Sequence, residues 1–303
     1  MFNRLLALTF VFAASAFAQV EFTKAEDIDY VGDGNPRQML DFYLPKEKTE
    51  KPLPVLLWIH GWAWLQGSKK NPGLAWRAFQ LGPCAVVSIN YRLTREAKWP
   101  AQIHDCKASL RWVRAHAGKY NLDPDRIVVW GASAGGHLVA LLGTTENDEA
   151  LDGELGPHEE QSTGIKAVIN FFGPTDFPKM NSQGSSMNHN DRNSPEGKLL
   201  GGIVSELPQK AKLASALYHV SKDDAPVLTV HGTKDRLVPY KQGLDFDRKL
   251  DEALIPSILL TVEGGGHGQG FGESVQKTIE KFLQDHLFGK KNDLRDATVK
   301  KNL

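Results

Sequence analysis

Six short apolar runs set the strongest limit on how this chain can fold: Val55–Ile59, Ala85–Ile89, Arg126–Trp130, Ala167–Phe172, Val227–Val230 and Ile258–Val262. A strand with one wet face alternates apolar and polar residues. A strand covered on both faces does not, and a run without alternation marks a buried parallel strand. Helical patterns separate several of the runs. The clearest is Ala101–Ala117, where Ile103, Cys106, Leu110, Val113 and Ala117 recur at helical spacing after Pro100. Val238–Leu254 and Ser274–Leu287 also read as helices. Strands alternating with helices predict an α/β fold with a mostly parallel sheet covered on both sides.

The flanks of this pattern read differently. Asp27–Val31 and Gln38–Leu44 enclose Gly32-Asp33-Gly34-Asn35-Pro36, which is turn chemistry, so a leading β-hairpin is expected. Lys46–Lys51 reads as a solvated loop, and no internal repeat occurs. Asp176–Ser194 is polar and long for a connection. It reads either as a flexible cap or substrate-side loop, or as an ordinary surface insertion. Residues 290–303 are polar and mixed in charge and are expected to be disordered.

The first residues carry an export pattern. Arg4 is followed by the apolar run Leu5–Ala14 and by Ala16-Phe17-Ala18, a small-x-small site. A signal peptide over residues 1–18, cleaved after Ala18, is expected, and with it an exported protein. The run is short for a membrane span, which needs roughly 20 apolar residues. No later segment is long and apolar enough to span. The 36 basic and 36 acidic residues cancel, so no charge excess points to nucleic acid. Cys84 and Cys106 are the only cysteines. Outside the cytosol they are candidates for a disulfide, or else two small core residues. No sequence feature sets an oligomeric state.

Chemistry enters at Gly131-Ala132-Ser133-Ala134-Gly135, a G-x-S-x-G pentapeptide. Alone it is a weak signal. Here it directly follows the run Arg126–Trp130 and precedes the helix-like His137–Leu142. A turn this tight holds its central serine at the tip, and flanking glycines remove the side chains that would clash. Ser133 is therefore the candidate nucleophile. A serine hydroxyl needs a base, and the order Ser, Asp, His places acid and base downstream.

Of ten histidines, only His267 and His286 follow the last long run. His286 sits in the C-terminal helical pattern. His267 lies in Gly264-Gly265-Gly266-His267-Gly268, a loop at a strand end, and is the candidate base. Asp235, in His231-Gly232-Thr233-Lys234-Asp235, follows the preceding strand and is the candidate acid. Asp245, Asp247 and Asp251 fall on the following helix. Glu263 is the second choice, but it stands too near His267 in sequence to reach its ring easily. Oxyanion donors are expected from the Ala134 N–H and from His60-Gly61-Trp62-Ala63-Trp64, after the first apolar run.

With these residues in view, the chain resembles an α/β-hydrolase esterase of the hormone-sensitive-lipase-like type. It is most similar to the bacterial feruloyl and acetyl-xylan esterases of the BD-FAE group. The likeness rests on Pro54–Gly61, Ser88–Leu93, Pro100–Lys107, the Ser133 turn, Ser194-Pro195-Glu196 and His231–Asp235. It implies a hydrolase domain over residues 19–289, with a sheet of about eight strands, a leading hairpin and a short insertion after strand 6. It also implies the Trp62, Ala63 and Ala134 amides as oxyanion donors. The family loop resembles H-G-G-[GA]-W, and this chain has Trp62 at the second glycine. Positive φ is costly for a tryptophan, so either the loop is reshaped or fewer donors serve. Trp62 and Phe172 are candidate pocket walls, with a packing role as the other reading of Trp62. His60 and Trp64 read as structural.

The implied reaction is ester hydrolysis through an acyl-enzyme, with no metal or cofactor. The implied substrates are acetyl or feruloyl esters of polysaccharides, or small aryl esters. An amidase or peptidase on the same fold, and a non-catalytic binding module, are the rival readings.

Overall fold

The computed structural model describes residues 21–302 except residue 147, so the expected signal peptide lies outside the described residues. The chain builds a nine-stranded sheet in the order β1-β2-β4-β3-β5-β6-β7-β8-β9. The strands are β1 Phe22–Asp29, β2 Met39–Pro45, β3 Leu53–Ile59, β4 Ala85–Ile89, β5 Leu122–Ala132, β6 Ala167–Phe171, β7 Val227–Gly232, β8 Ser257–Glu263 and β9 Ala297–Lys300. β1 and β2 form the expected hairpin, and β2 joins β4 antiparallel. All later pairings are parallel.

The apolar runs lack alternation because each strand feeds two cores. In β3, Val55, Leu57 and Ile59 enter one layer, with Ile103, Leu110 and Leu138 from helices Ala101–Ala115 and Ala134–Thr144. Leu56 and Trp58 enter the other, with Ile279, Leu283 and Leu287 from helix Glu273–Phe288. Every residue of β3 is buried. Fully burying such a side chain is worth about 1.5–3 kcal/mol, so the central strands are the part of the fold least free to slip in register. No helix among the described residues is long and apolar enough to cross a membrane.

One open alternative is resolved and one expectation needs correction. Cys84 and Cys106 are both free and buried. Cys84 belongs to the layer with Trp58, and Cys106 to the layer with Ile103, so the sheet stands between them. They are small core residues, and the disulfide alternative is set aside.

The polar tail is also not outside the fold. Ala297–Lys300 is the ninth strand, parallel to β8. Asp296 accepts the Leu259 N–H at 2.8 Å. The Lys301 N–H donates to the Glu263 carbonyl and the Asn302 N–H to the Gly270 carbonyl, both at 3.0 Å. A four-residue strand that is mostly exposed carries little hydrophobic signal, and its stability comes from a distant partner edge.

Removing residues 290–303 would bare the edge of β8. The expected result is a loss of about 1–3 kcal/mol in denaturant unfolding. Concentration-dependent association is also expected on a sizing column. An unchanged midpoint would mean that the ninth strand adds nothing to stability.

Candidate active site

The parallel strands all end at one edge of the sheet, and the candidate residues lie there in the loops that follow. β5 stops at Ala132, and helix Ala134–Thr144 starts with a single residue between them. Ser133 bridges them at φ 56° and ψ −119°, a conformation that L-residues seldom adopt. Neighbouring backbone fixes it there: the Ser133 N–H donates to the Phe171 carbonyl at 2.8 Å, and the His137 N–H to the Ser133 carbonyl at 2.9 Å. Gly131 and Gly135 are required by close approach. A Cβ on Gly131 would overlap the Gly135 carbonyl, and one on Gly135 would overlap the Ile59 carbonyl.

From the loops after β7 and β8, Asp235 and His267 line up behind Ser133. His267 Nε2 is 3.0 Å from Ser133 Oγ, and His267 Nδ1 is 2.7 Å from Asp235 Oδ2. A carboxylate only accepts, so the proton facing Asp235 is on Nδ1, and the Nε2 lone pair faces the serine. The other oxygen of Asp235 accepts the Leu237 and Val238 N–H groups, each at 2.9 Å. Burial pushes the Asp235 carboxyl up. Hydrogen bonds from His231 and His267 outweigh that and hold it well below the usual carboxylate range. A fixed negative charge thus lies behind the imidazole, ready to stabilise its protonated form.

The loop after β3 takes an unusual path. Trp62, Ala63 and Trp64 have φ of 72°, 56° and 58°, three successive non-glycine residues in the left-handed region. The Leu65 N–H closes this turn on the Trp62 carbonyl at 3.1 Å. Each such residue costs about 1–2 kcal/mol. The cost leaves two amides free: among the described residues, neither the Trp62 nor the Ala63 N–H donates to a backbone carbonyl. The Ala134 N–H is the first of its helix and has no acceptor within it. These are the three amides named from the sequence, and positive φ shapes the loop that carries two of them.

The neighbours hold this loop in place. His60 is buried and stacked on Tyr91 at 4.3 Å between ring centroids, and burial pushes its imidazole down to about 3. The Tyr91 hydroxyl donates to the His60 carbonyl at 3.0 Å. Trp64 is buried edge-on against His137 and Phe177. Trp62 alone turns outward and is 68% exposed. Phe172 is buried, with its ring 4.5 Å from that of His267, where it braces the imidazole.

The remaining candidates lie apart. His286 packs on Phe282. Asp245 accepts from Gln183, and Asp247 accepts from Ser257. Glu263 ends β8 with an exposed side chain. Sequence reasoning passed over His231, which is fully buried. Its Nε2 lies 2.9 Å from the Val238 carbonyl and 3.4 Å from Asp235 Oδ2. Its position four residues before Asp235, at a strand end, was the available signal. The insertion Asp176–Ser194 is tied to the Asp235 loop: Ser185 Oγ donates to the Leu237 carbonyl at 2.9 Å, and the Ser186 N–H to the Arg236 carbonyl at 2.8 Å.

A serine on a strand–turn–helix corner, at the C-terminal edge of a mostly parallel sheet, together with an acid and a base from later strand ends, defines the α/β-hydrolase fold. The chain belongs to the BD-FAE family, whose model matches residues 40–250. It is 32% identical over 247 residues to Esterase LipC of Mycobacterium tuberculosis, covering 77% of this chain and 57% of LipC. The chain spans about half the length of the curated relatives it matches. Among solved structures, it is similar to the truncated form of a carbohydrate esterase from gut microbiota. That likeness has a TM-score of 0.81 and 33% identity, and covers 89% of this chain and 99% of the other. A bifunctional GH43-CE protein of Bacteroides eggerthii aligns with a TM-score of 0.80 and 33% identity, over 87% of this chain and 38% of that one.

Trp62 carries strain that its own side chain does not offset by burial. Trp62→Gly relieves the left-handed cost and keeps the N–H. A gain of about 1 kcal/mol is expected. It is read as a higher denaturant midpoint at constant m. A lower midpoint would mean that the Trp62 ring packs to stabilising effect.

Proposed function

We propose that this chain is a serine hydrolase of carboxylic esters that works through an acyl-enzyme. The observation that carries the reading is the continuous contact from Asp235 through His267 to Ser133, set beside the open amides of Trp62, Ala63 and Ala134. His267 Nε2 takes the hydroxyl proton as Ser133 Oγ attacks the ester carbonyl. The carbonyl oxygen gains charge and is met by the free amides. Asp235 holds the imidazole in the reactive tautomer and stabilises the imidazolium. His267 then protonates the departing alcohol. Water, deprotonated by the same nitrogen, releases the acid and restores Ser133.

Acetyl and feruloyl esters of polysaccharides, or small aryl esters, are the substrates this reading favours. The support is the family membership and the similarity to a protein described as a carbohydrate esterase. Export, supported by Arg4, Leu5–Ala14 and Ala16-Phe17-Ala18, belongs to the same reading. N-terminal sequencing of the mature protein is expected to begin at Gln19.

Hydrolysis of p-nitrophenyl acetate tests the chemistry. Turnover by the unaltered protein is expected, with a loss of roughly 10⁴-fold or more in Ser133→Ala. Activity that persists in Ser133→Ala would assign the nucleophile elsewhere. Asp235→Asn is expected to lower kcat by roughly 10³–10⁴-fold through the wrong imidazole tautomer. A comparison of acetyl-xylan, methyl ferulate and a peptide amide then separates ester from amide cleavage. Preference for the amide would overturn the ester reading and leave the nucleophile in place.

A further inference from the structure

The insertion is joined to helix Pro195–Leu200 by a buried ion pair that the reaction does not consume. His189 Nδ1 is 2.8 Å from Glu196 Oε2, and their side chains are only 5% and 4% exposed. His189 Nε2 is 3.0 Å from the Leu237 carbonyl and 2.8 Å from Ser185 Oγ. Glu196 is fixed from its own side: Ser194 Oγ caps the helix at the Gly197 N–H and also donates to the His189 carbonyl, both at 2.9 Å. The Asn181 side chain accepts the His189 N–H at 2.7 Å.

Ser185, His189 and Glu196 form a set of residue types like the one around Ser133, but the protons differ. A carbonyl oxygen only accepts, so the Nε2 that faces Leu237 carries a hydrogen. That nitrogen has no lone pair with which to take a proton from Ser185. The Glu196 carboxylate faces the other ring nitrogen and favours a proton there as well. Burial opposes the imidazolium, and contact with Glu196 outweighs it, so the His189 pKa is raised. The pair is built to hold something rather than to react.

What it holds is the acid loop. Leu237 contributes its carbonyl to His189 and its N–H to Asp235 Oδ1. One peptide segment therefore lies between the ion pair and the carboxylate that orients His267. We infer that Glu196 and His189 are positioning residues for Asp235, fixing the 235–238 loop and through it the angle of the His267 ring. A loop released at Leu237 lets the carboxylate swing. A misaligned imidazole then slows proton transfer while substrate binding is left alone.

This inference rests on the Ser133–His267–Asp235 reading, which the Ser133→Ala comparison judges separately. The test uses the whole chain and p-nitrophenyl acetate. His189→Leu is expected to lower kcat about tenfold with KM within about twofold. His189→Gln offers an amide N–H near the position of Nε2 and is expected to restore most of kcat. Glu196→Gln is expected to lower kcat by a smaller factor. In parallel, the downfield proton resonance of the His267–Asp235 hydrogen bond is followed by NMR. It is expected to shift or broaden in His189→Leu and to return in His189→Gln.

Normal kcat and a normal resonance in a folded His189→Leu protein, with only a lower thermal midpoint, would overturn the inference. Should His189→Leu not fold, the same unchanged pair of readings in Glu196→Gln would overturn it. A wild-type protein that does not turn over the ester fails the hydrolase reading, and the resonance still decides the positioning role.

Discussion

The site depends on the close approach of two backbones. The start of helix Ala134–Thr144 comes so near the end of β3 that only a hydrogen fits at Gly135 beside the Ile59 carbonyl. That contact sets how sharply the chain turns after β5, and the turn leaves Ser133 at the sheet edge rather than in the core. It also places the first amide of the helix alongside the loop that begins at His60. Ser133 and the Ala134 amide are thus fixed by one packing event. Asp235 and His267 are then brought up to Ser133 from the ends of β7 and β8.

Rigidity has different sources at the centre of the sheet and in the loops around that contact. β3, β6 and the Ile127–Gly131 half of β5 are buried on both faces and leave little room for movement. The loops that bear Asp235 and His267 have no such burial, and they gain order from polar ties instead. Asp235 is met by two amides and two imidazoles, and Leu237 is tied to the insertion. Phe172 stands against the His267 ring. Strain is tolerated where such ties surround it, at Ser133 and across Trp62–Trp64.

Much of this was legible in the sequence because it is local or periodic. Apolar runs without alternation disclosed the double-sided sheet, and the strand–G-x-S-x-G–helix order disclosed the turn. Acid and base followed from the strand ends that precede them. What escaped was long-range. β9 has four mostly exposed residues, so its signal is in the β8 edge and not in itself. Trp62 is a steric problem visible in the sequence, but the loop path around it depends on Trp64, Tyr91 and His60 in space. His189 and Glu196 are seven residues apart in a polar stretch, and composition does not tell a buried ion pair from two wet charges. Their burial depends on the 235–238 loop, more than forty residues further along.

The ninth strand has a consequence for the order of assembly. During synthesis Ser133 emerges long before Asp235 and His267, so the contacts among the three form late. His267 itself lies in a loop whose Gly270 carbonyl is bonded by the Asn302 N–H. The loop is complete only when residues 297–302 have left the ribosome and reached β8. The 264–270 loop therefore gains its last backbone tie only after the sheet is closed at its far edge. The same edge makes a poor place to append a bulky fusion close after residue 302.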